Sequence, residues 1–179
     1  MKLLYNWLEE HTNNECYLFR FLDLRALYPD LSDSAFKTLL SRAVSADYIT
    51  RVCRGIYSYK KNTASNGLML FHTAALLRAN DFNYISLETV LSDAGVISQI
   101  PINMISIMSS GRSNMISCGP WGNIEFVHTD QKPDQIIDQL YYDANCRLWR
   151  ATVPQALRDM KATRRNCDLI DWDRTNEFI

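Results

Sequence analysis

The sequence predicts an α+β protein in two parts: a small helical unit closed by a β-hairpin, then a mixed α/β domain on a small sheet. Helical apolar spacing dominates the first 45 residues. Two alternating strands joined by Arg54-Gly55 follow, and pattern and charge both shift near residue 62. The length of 179 residues allows one domain or two small ones, and 47% apolar residues is an ordinary globular content.

Leu3, Leu4, Trp7 and Leu8 sit at helical spacing, so Met1 to about His11 is a first amphipathic helix, ended by Asn13-Asn14. Cys16–Phe19 is a short, strand-like apolar run. A second helix is expected around Phe21–Leu27, stopping before Pro29. Ser32-Asp33 offers an N-cap to a third helix. Phe36, Leu39, Leu40, Ala43 and Val44 form one apolar stripe along it. Tyr48–Cys53 then alternates like a strand. Arg54-Gly55 is a tight turn with glycine supplying a positive φ, and Ile56–Tyr59 returns.

Helix, short strand, helix, helix, hairpin is the order of a winged helix-turn-helix. The third helix's outer face carries Ser34, Lys37, Thr38, Ser41, Arg42 and Ser45, with no acid before Asp47. A B-DNA major groove admits one α-helix. Phosphates repel carboxylates, so such a helix needs hydroxyl and cationic donors on the face it presents. Arg51, Arg54, Lys60 and Lys61 place further cations on and after the hairpin, suited to neighbouring phosphates. Double-stranded DNA is therefore the expected partner. A winged helix used to dock protein fits the same pattern, as does a plain solvated face.

Residues 1–62 hold nine Lys or Arg against seven Asp or Glu, net +2; residues 63–179 hold ten against thirteen, net −3. The polar stretch 61–67 reads as a linker. Beyond it, 68–78 is a mostly apolar helix, and Ser86 is placed to cap a short helix that Gly95 ends. Asn103–Met108 and Asn123–His128 read as strands, Pro133–Tyr142 as a helix and Arg147–Trp149 as a short strand. Val153–Lys161 is the last helix, with Pro154 in its first turn.

No catalytic constellation emerges. His11, His72 and His128 lack metal-ligand spacing, so no metal is expected, and a local hydrogen bond is the reading for His128. Ser110-Gly111-Arg112-Ser113 matches neither a nucleophile elbow nor a phosphate loop. It reads as a loop whose Arg112 could meet a phosphate or an acidic partner. The four Trp and nine Tyr are dispersed, which favours core packing over a stacking platform for single strands. Five cysteines without a CxxC spacing suggest reduced, buried thiols in a cytoplasm. No signal peptide and no run of some 18 apolar residues is seen, so no membrane partner is expected. Neither an enzyme nor a cofactor is expected.

The sequence resembles the antitoxins of AbiE-type abortive-infection systems, the type IV toxin–antitoxin modules. Four ordered blocks carry the resemblance: Ile49–Tyr57; Tyr84–Leu91 with Gly95-Val96-Ile97 behind it; Gly122–His128; and Ala151–Asp159. The resemblance implies a winged helix that represses its own operon at promoter repeats. It also implies a C-terminal domain, here 63–179, that carries antitoxicity against a nucleotidyltransferase-like toxin, with no direct grip on the toxin required. Many members are longer at the C-terminus, and Arg164–Ile179 does not align.

Overall fold

The computed structural model describes residues 1–59, 66–98 and 103–178. The protein is mixed α+β and divides into two compact units, Met1–Gly67 and Leu68–Ile179. The sequence pattern placed that division at residue 62. Of the expected linker 61–67, only Asn66 and Gly67 are described, and they open a 3-10 turn, Asn66–Leu68.

The first unit is built from α1 (Lys2–His11), β1 (Leu18–Arg20), α2 (Phe21–Arg25), α3 (Asp33–Ser45), β2 (Ile49–Cys53) and β3 (Ile56–Tyr59). Its sheet has the order β1-β3-β2, all antiparallel. The returning strand is thus central and buried at all four positions. The α3 stripe does what its spacing requires. Phe36, Leu40 and Ala43 are buried, and Leu39 and Val44 pack partly against the same core with Leu4, Leu8 and Leu24. Phe36 lies edge-on to Phe21 with centroids 5.1 Å apart, and Tyr28 is tilted against it at 5.7 Å. Ser32 caps α3 by accepting from the Ala35 N–H at 3.3 Å.

The second unit comprises α4 (Met69–Leu77), β4 (Asn83–Ile85), α5 (Leu87–Asp93), β5 (Met104–Ser109), β6 (Asn114–Ser117), β7 (Asn123–His128), α6 (Pro133–Ile136), β8 (Leu140–Asp143), β9 (Leu148–Ala151), α7 (Val153–Ala162) and α8 (Trp172–Thr175). Its six-stranded sheet runs β6-β7-β5-β4-β9-β8. The β5–β7 and β4–β9 pairs are parallel and the other pairs antiparallel. Five consecutive buried residues in β5 mark a strand covered on both faces. Helix α5 packs on α7 and β5, and α4 on β5 and β7.

Several expectations need correction here. The helix expected over 133–142 ends at Ile136. Ile137–Gln139 tightens into a 3-10 turn, and Leu140–Asp143 extends to pair with β9. A ladder to a distant strand overrides local helical spacing there. Strand β6 went unseen because Asn114, Met115 and Ser117 are exposed and carry no apolar alternation. Ser86 does precede α5, but its hydroxyl makes no cap bond. It donates instead to the Asp159 carboxylate at 2.6 Å. The aromatics are not all core: Tyr142 and Trp149, partners across β8 and β9, stand exposed as an edge-to-face pair 5.7 Å apart.

Two polar knots tie the second unit together. Asp159, fully buried, accepts from Ser86, from Gln131 Nε2 at 3.0 Å and from Gln155 Nε2 at 2.9 Å. Burial raises its carboxyl above the ordinary range, against the pull of those hydrogen bonds. The unaligned tail supplies the second knot. Arg165 donates to both Glu88 oxygens at 2.9 and 3.0 Å and to Glu125 at 2.6 Å. Farther on, Ile170 bridges to Ile97, and Arg174 Nη1 donates to the Gly95 carbonyl at 2.9 Å. Gly95 has φ +68°, a left-handed value that favours glycine.

Candidate nucleic-acid interface

The expected α3 residues Ser34, Lys37, Thr38, Ser41 and Arg42 are all exposed, because the buried stripe turns the opposite arc of the helix outward. Not all are free donors. The Thr38 hydroxyl donates to the Ser34 carbonyl at 3.0 Å, which leaves its oxygen lone pairs facing outward.

Arg51 lies exposed on β2, at a β-bulge between Arg51 and Cys53. A bulge kinks its strand and re-aims the side chains beside it. Arg54 is exposed in the turn before Gly55, whose φ of +84° is the left-handed value this turn demands. The Phe21 N–H donates to the Gly55 carbonyl at 2.8 Å, pinning the start of α2 to the hairpin tip. Lys60 and Lys61 lie outside the described residues.

These elements enclose a groove of about 490 Å³. Lys37 and Ser41 from α3 and Arg51 and Arg54 from the hairpin stand around it, while Phe21, Leu40, Val44 and Tyr57 supply apolar lining. Ser34, Thr38 and Arg42 are not among its lining residues; they extend the helix face beyond it. Phe21 and Tyr57 were not singled out from sequence; Tyr57 belongs to the core of this unit and Phe21 packs against it.

The electrostatics of the face follow from where the acids are held. Among the described residues, the ion pairs of this unit are Arg20–Asp23 at 2.9 Å and Arg25–Asp33 at 3.3 Å. Burial works to raise the Asp23 carboxyl, but Arg20 outweighs it and holds the group below its ordinary value. Asp33, the acid in the first turn of α3, is answered by Arg25 from α2. Lys37, Arg42, Arg51 and Arg54 take part in neither pair.

In the second unit, Arg112 is exposed in the turn between β5 and β6, and its carbonyl accepts from Arg78. The α3 cations and Arg112 belong to different units. His128 has local partners on both ring nitrogens, the Gly111 carbonyl at 2.9 Å and Asp130 at 3.1 Å. Two acceptors favour the doubly protonated ring, so the bond to Gly111 and then Asp130 raise its pKa. All five cysteines are free, but Cys16 is exposed and Cys167 half-buried, against the expectation that all are core. Burial pushes the Cys146 thiol up to about 11. Among the described residues no three His, Cys, Asp or Glu gather as a metal site, and no helix is long and apolar enough to cross a membrane.

A scan against protein-family models finds no match to this chain. A search of the curated proteins finds none either.

Proposed function

We propose that the protein is a DNA-binding transcriptional regulator whose first unit acts as a winged helix-turn-helix. One observation carries the reading. Cations from α3 and from the β2–β3 hairpin share one groove, and among the described residues no Asp or Glu lines it. In this reading α3 enters the major groove. Lys37, Ser41 and Arg42 face base edges and flanking phosphates, and Arg51 and Arg54 meet the adjacent backbone. The order β1-β3-β2 with α3 before the hairpin supports the winged-helix assignment.

The finer reading is an autorepressing antitoxin in the cytoplasm, opposed to a nucleotidyltransferase-like toxin. It rests on the four-block resemblance. Two of those blocks meet in the second unit, β4 pairing with β9 and α5 packing on α7, while the third, β7, lies beyond β5 in the same sheet. Two experiments test the two levels. Gel-shift titration of the full chain on DNA upstream of its gene should show a discrete complex. Arg42→Ala should cost about 1–3 kcal/mol there and relax sequence preference, if that side chain reads a base. Co-expression with the neighbouring toxin gene should restore growth only when the second unit is present. Absence of any complex ends the regulator reading; a complex without growth rescue ends only the antitoxin reading.

A further inference from the structure

The groove between α3 and the hairpin has a composition that DNA alone does not explain. Phosphate contacts need cations and hydroxyls, and Lys37, Ser41, Arg51 and Arg54 supply them at the rim. The same groove is also lined by Phe21, Leu40, Val44 and Tyr57. A sugar-phosphate backbone is hydrophilic and gains little from such a lining, whereas an apolar body gains by leaving water. The volume of about 490 Å³ lies within the range of small-molecule sites, which pair an apolar lining with a few placed polar groups. Among the described residues no Asp or Glu lines the groove to repel an anion.

We propose that this groove binds a small apolar carboxylate, an aromatic or medium-chain acid, and that its occupancy releases DNA. The apolar body lies against Phe21 and Val44, and the carboxylate is held by Arg51 and Arg54. Both arginines are among the cations assigned to phosphates, so ligand and duplex compete for them; that half of the proposal rests on the DNA-binding reading. The link is local. The Phe21 N–H bonded to the Gly55 carbonyl joins the apolar wall to the cationic turn, so an occupant touches α2, α3 and the hairpin together.

The test uses the full chain, labelled with 15N, and three probes. Naphthalene-2-carboxylate has body and charge, acetate has charge alone, and naphthalen-2-ylmethanol has body alone. The carboxylate should bind one to one, shift the amides of Phe21, Ser41, Val44 and Gly55, and bind at least tenfold more tightly than either comparator. Arg51→Ala/Arg54→Ala and, separately, Val44→Gln should each weaken it at least fivefold. Acetate binding as tightly would make the groove a bare anion site and overturn the proposal. Equal binding of the alcohol, or shifts confined to other residues, would overturn it too. The competition is read with a fluorescent duplex, first measured without ligand. A duplex that binds and is released as the carboxylate saturates supports the proposal, and one that stays bound overturns the competition. A duplex that never binds ends the DNA-binding reading and the competition together, while the carboxylate titration still decides the groove by itself.

Discussion

Removing Arg51 and Arg54 together should flatten the salt slope of DNA binding by about 1.8. Each phosphate neutralised by a cation releases condensed counterions, giving a slope of about −0.9 in log K against log salt for duplex DNA. The described face offers four cations, Lys37, Arg42, Arg51 and Arg54, and the ion pairs of this unit use none of them. If each meets one phosphate, the slope is about −3.6, so raising salt from 50 to 200 mM weakens binding about 150-fold. The Arg51→Ala/Arg54→Ala variant retains two such contacts, a slope of about −1.8, and loses only about 12-fold over the same range. Both side chains are exposed, so their truncation leaves the core intact. Fluorescence anisotropy on a mixed-sequence duplex of some twenty base pairs, at four or more salt concentrations, measures both slopes. Circular dichroism checks that the variant is folded. A variant slope indistinguishable from the parent's would remove the hairpin from the DNA interface.

Three further outcomes concern stability. Phe36→Ala should cost about 3–5 kcal/mol in urea unfolding, since a fully buried ring packed on Phe21 and Tyr28 leaves a cavity; a loss under 1 kcal/mol would mean α3 is not held by this stripe. Asp159 is raised in the folded state, so it contributes stability below the unfolded carboxyl value near 4 and loses it as pH climbs through the folded value. The melting temperature of Asp159→Asn relative to the parent should therefore rise between pH 4 and 7; a flat difference refutes that sign. Arg165→Ala should cost roughly 2–3 kcal/mol at pH 7, because Glu88 and Glu125 are left half-buried and facing each other. Arg165→Lys, which keeps a cation between the two carboxylates, should recover part of it, and no recovery would argue against glutamate repulsion as the cause.

How much of this was legible in the sequence depends on how local the deciding interaction is. The α3 stripe recurs at i, i+3 and i+4, so a single helix turns Phe36 and Leu40 inward and Lys37 and Arg42 outward, whatever surrounds it. The Arg54-Gly55 turn is equally local, because a positive φ is a demand on one residue. Strand β8 was not legible. Its extended state comes from β9, and Leu140-Tyr141-Tyr142 has no local reason to leave the helix begun at Pro133. Nor could spacing show that Ser86 turns from its cap position to a carboxylate 73 residues away.

By itself the sequence determined the helices and hairpin of the first unit and the acid-free outer face of α3, because periodicity and turn chemistry act within a few residues. Tertiary structure alone decided which cations share a groove. Lys37 and Arg51 belong to different elements and meet only because β2 and β3 fold back beside α3, with the hairpin tip tied to α2 through Phe21 and Gly55. It also decided that the groove has an apolar side, since Phe21 comes from α2 and Tyr57 from β3. Exposure at a groove is a property of how elements pack, and no spacing within one element encodes it.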